Sequence, residues 1–307
     1  MIRKIIFNIA VVAVVVFALD FVIGRTLRYF YFKQSSGSFF RGTYSMEITK
    51  ADILVFGSST AGYHYVPEVF EDALGGTFYN TGQNALGIFL QLATLNSVLK
   101  RYTPKIIILS WGDSFGKDKE SYDQLSHLLP YYRKHEEIRR IVELRSPFER
   151  LKLISEVYPF NSQVFTILIR NLKIIKISDF RNKGYAVPDE RWQGEADPVN
   201  TPVSEGVDYN KVAAFREFIV QAKESGAHTF VVLSPVFKKF KMLREVKIIN
   251  KICAAEKVDF WDFSRNTLFY KNKSLFADIY HLNHDGAILF SKLIAAKIKD
   301  AINNNAP

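Results

Sequence analysis

The 307-residue sequence has little cysteine, proline and glycine, and each scarcity excludes a class of protein. The single cysteine, Cys253, excludes an internal disulfide framework and a cysteine-based zinc site. Sixteen glycines and ten prolines exclude a collagen-like or low-complexity chain. The spacing of Gly57, Gly62 and Gly82 matches neither the Walker nor the dinucleotide-binding pattern. We therefore expect no cofactor.

The composition is apolar and basic. Hydrophobic residues make up 48% of the chain, which excludes wholesale disorder. Lys and Arg number 41 against 31 Asp and Glu, a net charge of +10 that favours anionic partners. The basic residues are spread along the chain and no nucleic-acid-binding motif accompanies them. We therefore expect membrane lipid or an acidic polymer as partner, and no nucleic acid.

The N-terminus predicts a membrane anchor. Residues 5–23 form a mostly apolar run, interrupted by Asn8 and Asp20, that nearly spans a hydrocarbon core of about 30 Å as a helix. A cleaved signal peptide is the alternative, but its apolar region is roughly 7–15 residues long and no small-x-small cleavage site precedes Arg25. We predict an uncleaved single-pass anchor over residues 1–24 and a juxtamembrane stalk over residues 25–50. Basic residues flank both ends, so the charges do not decide the orientation.

The remainder, residues 51–307, alternates strands and helices. Short apolar runs predict buried strands, and amphipathic segments between them predict helices. This pattern is typical of a doubly wound, flavodoxin-like parallel sheet in a three-layer α/β/α fold, in which ligands bind beyond the carboxyl ends of the strands. The predicted strands cover residues 53–56, 77–80, 106–110, 229–233 and 258–260; the predicted helices cover 67–74, 88–102, 212–224, 247–256 and 286–302.

A long insertion, about residues 115–208, separates the third and fourth predicted strands. It is too long for an ordinary connection, and it predicts two helices, over 136–158 and 162–177. Residues 133–183 carry 12 Lys and Arg against 6 Asp and Glu. Two interpretations stay open: a lid or substrate-binding element, or a helical subdomain whose charges are merely solvated.

Two motifs at predicted strand ends carry the residues of a serine nucleophile. Ser59 follows Gly57 after the first strand, where a tight turn would project a hydroxyl above the sheet. Asp278 and His281 lie three residues apart before the last helix, close enough for the carboxylate to hold one imidazole nitrogen. A serine hydroxyl needs such an oriented base, because it is a weak nucleophile on its own.

The order of these motifs resembles that of the SGNH/GDSL hydrolase family. The resemblance places the nucleophile at Ser59 and its partners at His281 and Asp278. It also implies that the amides of Ser59 and Gly82 bind the oxyanion. The chain departs from the family pattern after the third strand, where the family has Gly-x-Asn-Asp and this sequence has Ser-Trp-Gly-Asp, residues 110–113. An amide of this loop or the side chain of Asn84 is a candidate to replace the missing asparagine.

The resemblance implies an acyl esterase or an O-acyltransferase with an acyl-serine intermediate. With its predicted membrane anchor, the sequence is similar to membrane-tethered SGNH proteins that modify cell-surface glycans. We therefore expect an acylated, acidic glycan as substrate, an extracytoplasmic catalytic domain, and a membrane protein that supplies the acyl donor. An α/β-hydrolase is not indicated, because Ala61 replaces the last glycine of the Gly-x-Ser-x-Gly elbow.

Two other interpretations remain. The first is a metal-dependent phosphoesterase, with ligands drawn from the residues around the Asp-x-x-His motif and from other strand ends. The second is a catalytically weak or inactive membrane-tethered binding or scaffold protein in envelope polysaccharide modification, favoured by the missing asparagine. The candidate metal ligands are Asp278, His281, His284, Asp285, Asp113 and Asp262, whereas His64, His127, His135 and His228 are predicted to be surface or packing residues.

Overall fold

The structure is a computed structural model that describes residues 1–172, 183–186, 191–192, 206–237, 243–270 and 272–304. The chain divides into two compact units, one formed by Met1–Thr43 with Leu125–Asp179 and the other by Tyr44–Gln124 with Phe180–Pro307. We call them the N-terminal unit and the sheet unit.

The helices of the described residues include α-helices, 3-10 helices and one π-helix. The π-helix is Tyr44–Ile48, and the 3-10 helices are Gln124–Tyr131, Glu136–Ile138, Tyr158–Gln163 and Lys273–Leu275. The α-helices are α1 Ile2–Phe32, α2 Gly37–Thr43, α3 Ser59–His64, α4 Pro67–Leu74, α5 Ile88–Leu99, α6 Glu120–Asp123, α7 Arg139–Glu143, α8 Glu149–Lys152, α9 Val164–Asn171, α10 Tyr209–Glu224, α11 Leu243–Glu256 and α12 His284–Asn304.

The sheet unit is built on five parallel strands in the order β2-β1-β3-β4-β5, which confirms the predicted α/β class and the strand count. The register pairs Gly57 at the end of the first strand with Ser110 of the third. The carboxyl ends of these central strands therefore lie side by side. The strands are β1 Ile53–Gly57, β2 Phe78–Asn80, β3 Ile106–Trp111, β4 His228–Leu233 and β5 Asp259–Asp262.

Helices cover both faces of this sheet. Alternate residues of β1 point to opposite faces: Ile53 and Val55 join a core with α4 and α12, while Phe56 packs edge-to-face on Phe218 of α10, with ring centroids 5.3 Å apart. The three-layer arrangement thus follows from strands that are apolar on both faces. Helix α4 spans the predicted residues, with proline in its first turn and Gly75 at φ +71° ending it.

The N-terminal unit packs around α1. Helix α1 continues to Phe32, beyond the predicted end of the apolar run at residue 23, because no proline interrupts it and its last turns pack within the unit. Tyr31 is buried there, with its ring centroid 4.8 Å from that of Phe39 and 5.7 Å from that of Phe160. Within the described residues, α1 is the one helix that is long and apolar enough to cross a membrane, by length and composition.

The predicted helix over residues 136–158 is wrong as a single helix. The structure breaks it into a 3-10 turn and the short helices α7 and α8, because Pro147 disfavours helical backbone at the residue before it and lacks an N–H for the helix ladder. The second predicted helix, over 162–177, corresponds to α9, which begins at Val164. Its predicted end lies outside the described residues.

Candidate active site

The turn after β1 is shaped by close backbone approaches. A Cβ atom on Gly57 would lie 2.4 Å from the carbonyl oxygen of Ser110, so only glycine fits there. The Gln91 side chain clamps the same residue from α5: its Oε1 accepts from the Gly57 amide at 3.0 Å, and its Nε2 donates to the Gly57 carbonyl at 2.9 Å. This clamp holds the start of α3, where Ser59 is the first helical residue.

The structure brings the three predicted residues Ser59, His281 and Asp278 into one hydrogen-bonded chain. His281 Nε2 lies 2.8 Å from Ser59 Oγ, and His281 Nδ1 lies 2.8 Å from Asp278 Oδ2. With Asp278 as a carboxylate, Nδ1 carries the ring proton and Nε2 accepts from the serine hydroxyl. Ser59 is thereby paired with a base that is itself oriented, as nucleophilic catalysis requires.

The Asp278 carboxylate is held by a tight local turn. Its Oδ1 accepts from the amides of Tyr280 and His281, at 2.7 and 2.8 Å. Partial burial alone would raise the pKa of Asp278, but the hydrogen bonds from the His281 ring and from these two amides together lower it below its ordinary value. The carboxylate therefore stays ionised and holds the ring in the orientation that faces Ser59.

Two aromatic residues of α3 support His281. The ring of Tyr63 lies against it, with centroids 4.8 Å apart. His64 is fully buried and its Nε2 accepts from the backbone amide of Leu282 at 3.0 Å. The prediction of His64 as a packing residue omitted this bond, which joins positions 218 residues apart and leaves no local pattern in the sequence.

The predicted oxyanion donors Gly82 and Asn84 are engaged within the chain. The Gly82 amide donates to Asn80 Oδ1 at 2.9 Å, and Asn84 Nδ2 donates to the Tyr63 hydroxyl at 3.4 Å. Their roles stay predictions, and each would have to exchange its acceptor to reach an oxyanion. The Ser59 amide opens α3, where backbone N–H groups have no acceptor within the helix.

Gly112 stands where the resemblance leads us to expect an asparagine, and a side chain there would require two neighbouring hydroxyl side chains to rotate away. A Cβ atom there would lie 2.7 Å from both Ser58 Oγ and Thr60 Oγ1. Thr60 Oγ1 is buried and has no hydrogen-bond partner among the described residues. A hydroxyl next to the nucleophile therefore occupies the space beside the residue 112 backbone.

A buried cation holds the loop after β3. Lys211 on α10 is fully buried; its Nζ donates to the Ser114 carbonyl at 3.0 Å, contacts the Asp118 carboxylate, and lies 3.9 Å from Asp113 Oδ1. Burial raises the pKa of Asp113, whose Oδ2 also accepts from the Ile88 amide at 3.0 Å. These contacts connect Asp113, the residue after Gly112, to α10 through Lys211 and to α5 through Ile88. Sequence analysis missed Lys211, because a lysine on an amphipathic helix is usually exposed.

The residues of the metal hypothesis do not converge. Both ring nitrogens of His281 are already hydrogen-bonded, His284 Nδ1 lies 3.1 Å from the Tyr185 hydroxyl, and Asp285 pairs with Arg191 at 3.6 Å. Within the part of the chain that the structure describes, no group of three or more His, Cys, Asp or Glu residues is arranged to hold a metal ion.

Comparison with known proteins assigns no family. No protein-family model matches the chain. No curated protein matches it either. Among solved structures, it is similar to a family two carbohydrate esterase from Clostridium thermocellum in complex with cellohexaose, with a TM-score of 0.41 and 10% sequence identity. The similarity covers 82% of this chain and 64% of that one, so it spans less than two thirds of the esterase chain.

Proposed function

We propose that this protein is a serine-dependent acyl-ester hydrolase or O-acyltransferase of the SGNH/GDSL type that acts on a cell-envelope glycan. The observation that carries the proposal is the hydrogen-bonded chain from Asp278 through His281 to Ser59, with both links at 2.8 Å. The turn that presents Ser59 stands at the carboxyl end of a central parallel strand, where ligands bind in open α/β sheets.

In the proposed reaction, Ser59 Oγ bonds to the carbonyl carbon of the ester while its proton passes to His281 Nε2. The collapsing intermediate expels the alcohol, which takes that proton, and leaves the acyl group on Ser59. Water or a sugar hydroxyl then attacks the acyl carbon and gives its proton to His281. The bond between the acyl carbon and Ser59 Oγ breaks, Ser59 Oγ takes the proton back from His281, and the acid or the new ester leaves. Asp278 stabilises the imidazolium that forms in each half-reaction.

The proposed oxyanion site uses the Ser59 amide and the Thr60 hydroxyl. Thr60 Oγ1 is buried and without a hydrogen-bond partner among the described residues, and a buried hydroxyl in that state calls for an explanation. It lies beside Gly112, where the family resemblance leads us to expect the donor from the third strand. Gly82 would contribute if its amide released Asn80.

The envelope location rests on α1 and on the charge. We propose that α1 anchors the protein in a membrane with the sheet unit on the extracytoplasmic side. The excess of Lys and Arg over Asp and Glu in residues 133–183 suits an acidic acylated glycan as substrate. A transferase would also need a membrane partner that delivers the acyl group.

A fluorophosphonate probe and p-nitrophenyl acetate test the proposal on the full chain in detergent. Wild type and Ser58→Ala should be labelled and should turn over the ester. Ser59→Ala should lose labelling and turnover, and Asp278→Asn should lower turnover by about 100- to 10,000-fold, because the wrong tautomer is favoured. Ser58 is the matched control, since it precedes Ser59 in the same turn.

Three outcomes would contradict this mechanism. Labelling that persists in Ser59→Ala would assign the nucleophile elsewhere. Turnover lost on adding EDTA would favour the metal-dependent phosphoesterase. A folded wild-type chain that neither reacts with the probe nor turns over ester would favour the second candidate, an inactive scaffold for glycan modification, which the glycine at position 112 supports.

A further inference from the structure

The N-terminal unit carries a compact apolar face beside α1. Phe148, Leu151 and Ile154 recur every three residues along the segment centred on α8 and are 64%, 65% and 63% exposed. The opposite side of the same segment is buried, as Glu149 and Leu153 show. Large side chains that recur on one side of a segment and stay exposed mark an interaction surface. We call these three residues the apolar foot.

Hydrogen bonds to Asp20 and a close backbone contact at Gly24 join α1 to the segment that carries the foot. Ser155, the residue after Ile154, contributes a hydroxyl that donates to Asp20 Oδ1 of α1 at 2.5 Å, and the Glu156 amide donates to Asp20 Oδ2 at 2.7 Å. A Cβ atom on Gly24 would lie 2.3 Å from Glu156 Cβ, so the glycine lets the two backbones meet. Asp20 is the one acidic residue of α1, and its carboxylate therefore accepts hydrogen bonds from the segment that carries the foot.

Asp20 lies three residues before the end of the apolar run at residue 23. From Ile2 to Asp20 an α-helix extends about 28 Å, close to the hydrocarbon thickness of about 30 Å. The exposed apolar side chains of α1 continue up to this level, as Phe17 and Phe21 show. Ile154 stands next in sequence to the residue that binds Asp20. A membrane that covers α1 up to Asp20 would therefore reach the foot.

The charge around the foot is complementary to lipid headgroups. Arg133 donates to the carbonyls of Leu153 and Ile154, both at 3.0 Å, and pairs with the Glu156 carboxylate at 2.6 Å. Arg150 is exposed between two foot residues. Residues 1–43 and 125–172 together contain 14 Lys and Arg against six Asp and Glu, a net +8 of the chain's +10. Cations above an exposed apolar face are the pattern of segments that lie in a membrane interface.

We infer that Phe148, Leu151 and Ile154 insert into the same bilayer leaflet in which α1 ends. The N-terminal unit is then held to the membrane by two contacts, α1 and the foot, and cannot swing freely on a single helix. This inference rests on the proposed membrane location of α1 and is independent of the acyl chemistry.

Single-cysteine labelling of the full chain tests it. In a Cys253→Ala background, an environment-sensitive fluorophore is placed at Leu151→Cys, Ile154→Cys, Arg150→Cys or Val15→Cys. Each protein is reconstituted in vesicles of phosphatidylcholine and phosphatidylglycerol, with plain or brominated acyl chains. Val15 reports whether α1 is inserted, and Arg150, adjacent to Leu151 but on another side of the helix, is the matched control.

Labels at positions 151 and 154 should lose most of their fluorescence in brominated vesicles, as the label at 15 does, while the label at 150 should lose little. Equal fluorescence in both vesicles at 151 and 154, with 15 quenched, would overturn the foot and leave the anchor standing. A blue-shifted but unquenched label there would assign the face to a protein contact, such as a second copy. An unquenched label at 15 would overturn both the foot and the proposed anchor, whatever the probe shows at Ser59.

Discussion

His64 Nε2 accepts the backbone N–H of Leu282 at 3.0 Å, so a fully buried imidazole holds the chain one residue beyond His281. His64 Nδ1 is also buried and has no hydrogen-bond partner among the described residues. The bond joins the end of α3 to the loop of His281, and α3 begins with Ser59. One short helix therefore presents the nucleophile and positions its base.

Removal of this acceptor should impair turnover more than binding. His64→Leu leaves the Leu282 amide buried without an acceptor, which costs about 1–3 kcal/mol of unfolding free energy and loosens the His281 loop. We expect kcat for p-nitrophenyl acetate to fall with little change in KM. His64→Gln is the matched control, since its side-chain oxygen replaces the acceptor. Equal kcat in the Leu variant and wild type would refute a positioning role.

The same residue predicts how stability depends on pH. Burial, and next the nearby His281, lower the pKa of His64 well below its ordinary value of 6.5. Below pH 6.5 the unfolded chain gains a proton at this position and the folded chain does not, so the free energy of unfolding falls as the pH drops, by roughly 1 kcal/mol per pH unit.

Urea unfolding between pH 5 and 7 measures this dependence. His64→Gln should flatten it. The other titratable groups are common to both proteins, so the difference between wild type and variant isolates the contribution of His64. Parallel pH profiles for wild type and His64→Gln would show that His64 does not titrate as we expect.

The Thr60 hydroxyl is predicted to act in the transition state. Thr60→Val keeps the shape of the side chain but removes the donor, and loss of one oxyanion donor lowers kcat by about 100- to 1000-fold. Thr60→Ser keeps the hydroxyl and should retain most of the activity. Fluorophosphonate labelling confirms that each variant is folded with a competent Ser59. If Thr60→Val turns over ester at the wild-type rate, the hydroxyl only packs against Gly112.

The sequence predicted the sheet and the chain of Ser59, His281 and Asp278, because both depend on local patterns. Apolar runs define buried strands, and the geometry of parallel strands places their carboxyl ends at one edge of the sheet. An aspartate three residues before a histidine lies within reach of its ring. These relationships need no knowledge of distant contacts.

The contacts that complete the site are long-range and could not be predicted. Thr60 and Gly112 lie close together because of the register in which β1 and β3 pair, and no local residue pattern predicts that register. His64 and Leu282 meet only after α3 and the last loop pack together. The broken helix near Pro147 is different, because a proline disfavours helical backbone at the residue before it and is therefore a local signal for a helix end.

Lys211→Met should destabilise the sheet unit and disturb the loop that contains Gly112. The substitution removes the cation beside two partly exposed carboxylates, Asp118 and Asp113, and the loss of a charged hydrogen-bond partner costs about 1–3 kcal/mol. Urea unfolding followed by the fluorescence of buried Trp111, adjacent to Gly112, measures the loss. Lys223→Met, exposed on the same helix, should change stability by less than about 0.5 kcal/mol. Equal midpoints for the two variants would mean that the buried ion pair contributes no net stability, and the loop would then be held by the Ile88 amide bond to Asp113.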